Sequence, residues 1–391
     1  MWPFIVILCL LIAFVMIGNH SHRKSLLITY PKRQANITFF SNGKKMFDHY
    51  FKDIQGAKQF IFISFFIVKN DAHSLTFLKR LQEKSESGVD VYLLVDRLGS
   101  LFLKKEWIHN LEQSRVHFLF SRRWRLLSPL RSLNRRNHRK ITVIDGDIGY
   151  IGGLNVGDEY VNDSRKFAGW KDYHMRVVGE VVTDFFHLFQ KDWEVNGGGK
   201  INVTVGEPRA EGESTCQLVP TSGGSLEDVF IHLINKAEHS IKIGTPYFIP
   251  SERLMRTLLE KRRDGVHITI IYPDEADHPF VKEASIPYLK RLVNAGGEVY
   301  LFTKGFYHAK ILFIDDKLVD IGTANFDRRS LFINDEVNLL IYDQPIIEIA
   351  DRAFHNDLEE ALPLNDEWLN APNKFVAGIK KVIATILKPL L

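Results

Sequence analysis

One arrangement of histidine, lysine, aspartate and asparagine occurs twice in this sequence, with the same spacing each time. Its members are His138, Lys140, Asp145 and Asn155 in the first copy and His308, Lys310, Asp315 and Asn325 in the second. The copies lie 308 − 138 = 170 positions apart. A repeated four-residue pattern of this kind indicates two half-sites that converge on one pocket.

Each pattern predicts a strand that carries its histidine and lysine on one face. Residues two apart on a strand point the same way, and the apolar runs 141–144 and 311–314 follow the two motifs. Glycine-containing segments at 152–153 and 322 then bring the chain, with Asn155 or Asn325, back towards that face. Small residues there allow the backbone to approach an anion. An imidazole, an ammonium and an amide are therefore expected around one position.

This set of side chains suits a phosphodiester. The two lysines would neutralise the nonbridging oxygens, and the two asparagines would donate hydrogen bonds. One histidine would attack phosphorus, and the other would protonate the leaving oxygen and later deprotonate an acceptor hydroxyl. Because the lysines supply the positive charge, no metal or other cofactor is expected. The competing interpretation, a pair of core histidines, does not explain the duplication.

The elements around the motifs also repeat. In the first half a strand over 59–67, a helix over 75–84 and a strand over 89–96 are predicted, and in the second half a strand from 240, a helix around 254–259 and a strand over 266–272. Alternation of this kind is typical of α/β units. Residues 196–212, rich in glycine at their start, form the predicted linker between halves.

The two ends of the chain predict contact with a membrane. The 391 residues carry a net charge of +4, yet residues 2–18 contain no charged side chain. We expect residues 1–22 to be an uncleaved transmembrane anchor, since a signal peptide would need a basic start and a small-residue cleavage site. Lysines and arginines after it place the remainder in the cytoplasm. Residues 371–391 form a basic amphipathic helix that either lies on anionic lipid or packs on the protein.

A basic block precedes the first motif. Between Arg122 and Lys140 there are eight Lys or Arg and no Asp or Glu. The segment 122–130 mixes arginine with apolar residues, and three interpretations stay open for it. It is a solvated loop, a lip that collects anionic lipid, or a groove for single-stranded nucleic acid.

The motifs resemble those of the phospholipase D superfamily, and within it the sequence is most similar to bacterial cardiolipin synthases. The segments that carry this resemblance are 137–140, 245–251, 277–278 and 322–330. It implies an α/β fold of two phospholipase-D-like α/β/α halves related by a pseudo-twofold axis, here expected at 23–200 and 213–370. To these the N-terminal span adds one transmembrane helix at the cell membrane.

The resemblance also implies roles for individual residues. His138 would be the nucleophile that forms a phosphohistidine, and His308 would be the general acid and base. Asp172 and Glu336 lie near the offsets at which the superfamily places carboxylates that orient the histidine of the opposite half, so Glu336 is paired with His138 and Asp172 with His308. Asp145 belongs to the motif, as does its counterpart Asp315, although anchoring of the following turn is the expected role of both.

The reaction implied by the resemblance transfers a phosphatidyl group from one phosphatidylglycerol to another and releases glycerol. Phosphatidylglycerol and anionic membrane lipid are the expected partners, and nucleic acid is not. Two alternatives remain at this point. The chain is a hydrolase or nuclease that uses water on another phosphodiester, or it is a membrane-tethered anion-binding scaffold whose site has decayed.

Overall fold

The computed structural model describes residues 30–122, 134–164, 169–203 and 212–369. The predicted anchor at 1–22, the predicted tail at 371–391 and nearly all of the basic segment 122–130 lie outside the described residues. Within the described ranges, no helix combines the length and the apolar character needed to cross a bilayer.

The strands of the described chain form one fifteen-stranded sheet, in the order β15-β11-β10-β9-β12-β13-β14-β8-β1-β7-β6-β5-β2-β3-β4. The strands are β1 (Lys32–Phe40), β2 (Phe60–Phe65), β3 (Asp90–Asp96), β4 (His117–Ser121), β5 (Ile141–Ile144), β6 (Ile148–Gly152), β7 (His174–Gly179), β8 (Ser214–Ser222), β9 (Ser240–Gly244), β10 (His267–Pro273), β11 (Glu298–Phe302), β12 (Ile311–Ile314), β13 (Leu318–Gly322), β14 (Asp335–Ile341) and β15 (Ala361–Pro363).

Apart from the edge strand β15, the strand order reads the same in both directions from the centre. Strands β7-β6-β5-β2-β3-β4 on one side of β1 correspond to β14-β13-β12-β9-β10-β11 on the other side of β8. In each half three strands are parallel, β2, β3 and β4 in the first and β9, β10 and β11 in the second, and the strands between these and the centre are antiparallel. The second half also has the short edge strand β15, which pairs antiparallel with β11. The predicted α/β fold with two similar halves is therefore confirmed. The boundaries 23–200 and 213–370 stay a prediction.

Helices connect the parallel strands and cover the sheet. They are α1 (Gly43–Gly56), α2 (Ala72–Glu86), α3 (Lys105–Gln113), α4 (Val181–Val195), α5 (Leu226–Asn235), α6 (Glu252–Arg263), α7 (Val281–Asn294), α8 (Arg328–Phe332), α9 (Gln344–Glu359) and α10 (Asp366–Leu369), with a short 3₁₀ helix at Asp158–Val161. The side chains of Asp71 and Ser251 cap α2 and α6 by accepting from the amides of Ser74 and Leu254.

The predicted element boundaries differ from the observed ones at a few ends. The strand expected over 59–67 spans Phe60–Phe65, and the helix expected over 75–84 begins earlier because Asp71 caps it. In the second half the strand ends at Gly244, before Pro246, which has no amide to donate. Apolar residues on both faces of the sheet pack against the helices in three buried clusters, which hold the carboxyl ends of the parallel strands in place.

Candidate active site

The two histidines lie at the same edge of the sheet, one in each half. His138 and Lys140 directly precede β5, whose first residue pairs with Ser64 near the carboxyl end of β2. His308 directly precedes β12 in the same way, and Ile311 pairs with Gly244 at the end of β9. Ligands of open α/β sheets bind outside the carboxyl ends of the strands. Both motifs therefore occupy the position where this fold binds a ligand.

Backbone contacts between the halves bring each histidine next to a carboxylate of the opposite half. The amide of His138 donates to the carbonyl of Asp335 over 2.9 Å, and that of His308 donates to the carbonyl of Lys171 over 2.7 Å. The residues that follow these two carbonyls are Glu336 and Asp172. A short parallel bridge thus places each carboxylate beside the histidine of the other half.

In the first half-site, Nδ1 of His138 donates to Oε2 of Glu336 over 2.8 Å. The Glu336 carboxylate also accepts from the hydroxyls of Thr323 and Ser330 over 2.7 and 2.8 Å, and from the side-chain amide of Asn334 over 3.3 Å. Four donors therefore fix this carboxylate. A proton held on Nδ1 leaves the Nε2 lone pair of His138 available as a nucleophile.

In the second half-site, Nδ1 of His308 lies 2.5 Å from Oδ2 of Asp172. Lys310 also contacts this pair, with Nζ 2.5 Å from Nδ1 of His308 and 3.5 Å from Oδ2 of Asp172. Asp172 is buried and accepts from the amide of Tyr173 over 2.8 Å. One carboxylate here organises an imidazole and an ammonium together.

The titration behaviour of these pairs follows from burial and from their partners. Burial lowers the pKa of His138 and that of His308, and the neighbouring carboxylates only partly oppose this effect. Burial raises the pKa of Asp172, but the charge of Lys310 and the hydrogen bonds from His308 and from the Tyr173 amide outweigh it and hold the pKa below its usual value. Burial likewise raises the pKa of Glu336, but the contact with His138, the charge of Lys140 and the hydrogen bond from Thr323 together outweigh it. The site therefore holds charged carboxylates and neutral imidazoles.

The two lysines belong to the same electrostatic group. Nζ of Lys140 donates to the carbonyl of His138 over 2.8 Å, and Nζ of Lys310 donates to the carbonyl of His308. Burial lowers the pKa of Lys140, and it lowers the pKa of Lys310 to about 8. The charge of Lys310 also lowers the pKa of His138, and Glu336 raises that of Lys310. The structure thus brings the two histidines, the two lysines and the two orienting carboxylates together.

The two asparagines follow the glycine-containing segments that return the chain to the site. Oδ1 of Asn155 accepts from the amide of Ile67 over 3.1 Å, and its Nδ2 donates to the hydroxyl of Tyr160. Nδ2 of Asn325 donates to Asp327 over 3.2 Å, and its buried Oδ1 has no partner among the described residues. Each Nδ2 carries two hydrogens and uses one of them in these contacts, so both amides can also donate to a phosphate oxygen.

Asp145 and Asp315 lie at the other end of the motif strands, after β5 and β12. The Asp145 carboxylate accepts from the amides of Lys58, Gln59 and Phe60 over 2.7–3.0 Å. Asp315 accepts from the corresponding amides at the start of β9. Both residues have positive φ, 54° and 50°. The structure therefore places them in turns that join strands, and does not bring them to the histidines.

Several residues that shape the site were not predicted from the sequence. Phe66 packs edge-on against His138, with ring centroids 4.9 Å apart, and Trp170 and Phe306 pack against His308 at 4.7 and 5.8 Å. The hydroxyls of Thr323 and Ser330 hold Glu336. Both hydroxyl residues lie within the motif segment 322–330, so the sequence could have pointed to them as site residues. The aromatic contacts depend on the assembled fold and have no such signal in the sequence.

No group of His, Cys, Asp or Glu suited to a metal ion occurs in the described ranges. The positive charge near the histidines comes from Lys140 and Lys310, whose Nζ atoms both lie at the motif backbone.

Comparison with known proteins agrees with this geometry. The chain matches the family described as cardiolipin synthase, PLD-like domain, over residues 50–193 and 230–358. It is 38% identical to minor cardiolipin synthase ClsB of Bacillus subtilis over 363 residues, which is 91% of this chain and 89% of that protein. It is 36% identical to cardiolipin synthase 2 of Staphylococcus epidermidis, covering 90% of this chain and 74% of that protein.

The fold is also found in a solved structure. The crystal structure of phosphatidylserine synthase from Haemophilus influenzae Rd KW20 superimposes with a TM-score of 0.71 at 15% identity, and covers 96% of this chain and 100% of that chain. The two histidine–carboxylate pairs, each formed between one half and the other, therefore lie in a fold that is known from a solved structure. Since the family match covers most of both halves, the chain belongs to the cardiolipin synthase family of phospholipase-D-like proteins.

Proposed function

We propose that this protein is a phosphatidyltransferase that makes cardiolipin. It transfers the phosphatidyl group of one phosphatidylglycerol to a hydroxyl of a second and releases glycerol. The observation that carries this proposal is the crossed arrangement, in which the imidazole of each half contacts a buried carboxylate of the other half over 2.5–2.8 Å. The relatives named cardiolipin synthase support the lipid substrate.

In the first step, Nε2 of His138 attacks the phosphorus of phosphatidylglycerol. The phosphorus–oxygen bond to glycerol breaks while a nitrogen–phosphorus bond forms, which gives a phosphatidyl-histidine. His308 gives its Nε2 proton to the departing glycerol oxygen. Glu336 stabilises the positive charge that develops on the His138 ring, since its carboxylate accepts the Nδ1 proton.

In the second step, the neutral His308 takes the proton from a hydroxyl of the second phosphatidylglycerol. That oxygen attacks phosphorus, and the bond to His138 breaks. Cardiolipin leaves, and both histidines return to their starting state. Asp172 stabilises His308 when it carries the proton, because its buried carboxylate lies 2.5 Å from Nδ1.

The phosphoryl oxygens gain negative charge in both steps. Lys140 and Lys310 offset this charge, and the side-chain amides of Asn155 and Asn325 donate hydrogen bonds to it. The negative phosphodiester also favours the protonated form of His308, whose pKa is lowered by burial in the site without lipid. Substrate binding therefore prepares the acid that the first step needs.

A lipid assay tests the proposed reaction. Purified full-length protein is incubated with phosphatidylglycerol in detergent micelles, and the lipids and glycerol are measured by mass spectrometry. The proposal predicts cardiolipin and glycerol in equal amounts. Phosphatidic acid alone would show a hydrolase, and a protein that leaves the lipid unchanged but cleaves DNA would be a nuclease. Either result contradicts the proposed transfer.

We also propose that residues 1–22 anchor the protein in the cell membrane as a single span, with the catalytic part in the cytoplasm. Arg23 and Lys24 directly follow the uncharged segment, as the positive-inside rule requires for this orientation. A truncated chain that lacks residues 1–22 and 374–391 should keep its chemistry on detergent-dispersed lipid and lose activity on vesicles. Retention of full activity on vesicles would contradict this assignment.

A further inference from the structure

The loop between β3 and α3 exposes a set of large apolar side chains. Among the described residues, six large hydrophobic side chains are exposed, and three of them lie between positions 98 and 102. The exposed fractions are 51% for Leu98, 56% for Leu101 and 83% for Phe102. We call residues 97–104 the apolar loop. Side chains of this size are rarely grouped on a surface that faces only water.

The apolar loop is joined directly to the first half-site. The buried Asp96 carboxylate accepts from the amides of Leu98 and Gly99 over 2.9 and 3.1 Å, and from the amide of Asn137, next to His138, over 3.0 Å. One carboxylate thus holds the base of the loop and the start of the catalytic motif.

A second contact joins the loop to the wall of the site. Ser100 accepts from the amide of Val68 over 3.0 Å and donates to the carbonyl of Phe66 over 3.4 Å. The ring of Phe66 packs against His138. A Cβ on Gly99 would lie only 2.2 Å from that same carbonyl, so the loop backbone packs closely on this segment. The exposed apolar side chains therefore stand on a base that also lines the site.

The position of the apolar loop and the charges that flank it indicate which kind of surface it contacts. The loop follows the carboxyl end of β3, the sheet edge at which both histidines lie. Its apolar side chains are flanked by exposed Arg97, Lys104 and Lys105, with Glu106 as the single acid among them. Apolar side chains bordered by basic ones suit the headgroup region of an anionic bilayer.

We propose that the apolar loop inserts into the surface of an anionic bilayer and directs the site toward phosphatidylglycerol in the membrane. Phe102 and Leu101 enter the acyl region, and the flanking basic side chains contact lipid phosphates. This proposal rests on the lipid substrate proposed above. It adds a membrane contact that is separate from both ends of the chain.

A fluorescent label tests the insertion without relying on activity. Cys9 and Cys216 are replaced by Ala, and a new cysteine at Phe102→Cys carries an environment-sensitive dye. Leu362→Cys is the matched control, because Leu362 is 60% exposed but lies on β15, the opposite edge strand of the sheet. Vesicles of phosphatidylglycerol with bromine in the acyl chains should quench the dye at 102 and leave the dye at 362 unchanged.

An activity test addresses the role of the loop. The double variant L101S/F102S is compared with L362S on phosphatidylglycerol in vesicles and in detergent micelles. The double variant should lose roughly ten-fold or more on vesicles, because it no longer buries apolar surface in the bilayer, and should match the unchanged protein in micelles. L362S should match the unchanged protein on vesicles and in micelles.

Two results would overturn the proposal. One is a dye at 102 that responds to protein concentration and not to lipid, which would show contact between protein copies. The other is equal loss of activity by the double variant on vesicles and in micelles, which would show a role inside the site. If the unchanged protein makes no cardiolipin in micelles, the proposed function fails, while the dye still reports whether the loop meets lipid.

Discussion

The two half-sites share a backbone plan but differ in how their lysines and carboxylates meet the histidine. In the first, Nδ1 of His138 donates to the Glu336 carboxylate, and hydroxyl and amide donors saturate that carboxylate. In the second, Nδ1 of His308 lies between the carboxylate of Asp172 and the ammonium of Lys310. The duplicated motif in the sequence does not show this difference.

The difference suits a division of labour. A nucleophile needs one fixed tautomer, and the contact of His138 Nδ1 with Glu336 provides it. An acid and base must gain and lose a proton in each cycle. At the same ring nitrogen of His308, the ammonium of Lys310 and burial favour the neutral form, while the carboxylate of Asp172 and a bound negative phosphodiester favour the protonated form. This supports the proposed assignment of His138 as nucleophile and His308 as acid and base.

Loss of either histidine should have the largest effect on turnover. His138→Ala and His308→Ala should each lower cardiolipin formation by more than roughly 10⁴-fold, since residues that act as one unit fail together. Lipid mass spectrometry after incubation with phosphatidylglycerol measures this. His355→Ala removes an exposed histidine of α9 and serves as the control. Turnover that survives in either active-site variant would show that the histidines do not form one shared site.

Loss of the carboxylates should separate the two half-sites. Asp172→Asn should lower kcat by roughly 10²–10⁴-fold, the range typical of acid–base groups. Glu336→Gln should cost less. Asp172 contacts both the histidine and the lysine of the second motif, whereas Glu336 accepts from the histidine of the first motif, whose lysine donates to the carbonyl of His138. Steady-state kinetics with thermal melting curves measures this, and Asp316→Asn on the surface is the control. A larger loss in E336Q would reverse the comparison.

Positions 153 and 323 are equivalent in the two halves, but they should differ in which substitutions they tolerate. A Cβ on Gly153 would lie 2.0 Å from Oδ1 of Asp172, so Gly153→Ala should displace that carboxylate. A displacement of this size costs roughly up to 10²-fold in kcat. Thr323→Ser keeps the hydroxyl that donates to Glu336 and should be nearly as active as the unchanged protein. Equal activity of G153A and T323S would show that Asp172 does not need this space.

A difference in pH-dependent stability should be the smallest effect. At equivalent positions of β6 and β13, the first half has Tyr150 and the second has Asp320. Burial raises the pKa of Asp320 to about 7. The contribution of Asp320 to folding stability is therefore greatest below the unfolded pKa of 3.8, where this residue is protonated in both the folded and the unfolded protein. That contribution is lost as the pH rises through about 7, because the buried carboxyl must then ionise.

Asp320→Asn should remove this dependence and raise stability above pH 7 relative to the unchanged protein. The expected gain is ~1.4 kcal/mol for each pH unit that separates the folded pKa of Asp320 from the unfolded one. Thermal melting curves in detergent between pH 4 and pH 8 measure it. An unchanged pH profile in the variant would show that Asp320 is ionised in the folded protein at all of these values.

Much of the fold follows from local sequence. Buried runs such as 60–65 and 141–144 predict strands, and their order before each His-x-Lys predicts two α/β halves. The single continuous sheet was not predictable, because pairing of β1 with β8 depends on contacts such as that of Gln34 with Thr215, 181 residues apart along the chain. Strand and helix ends also depend on details such as the cap at Asp71.

The site was predictable to the level of residue types and less so to the level of contacts. The crossed pairs of His138 with Glu336 and His308 with Asp172 came from family resemblance, and the structure places them within hydrogen-bonding distance. Spacing does not reveal that Lys310 reaches Nδ1 of its histidine. That contact arises from the buried surroundings of the second half-site, which form only when the halves meet.

The most direct test of the central claim is to trap the covalent intermediate. His308→Ala is incubated with a phosphatidyl ester of p-nitrophenol, whose leaving group needs no proton, and the protein is digested and analysed by mass spectrometry. We expect a phosphatidyl group on the peptide that contains His138, because attack proceeds and the base for the second step is missing. The same assay should give no adduct with His138→Ala. An adduct on His308 in His138→Ala, with none on His138 in His308→Ala, would contradict the assignment.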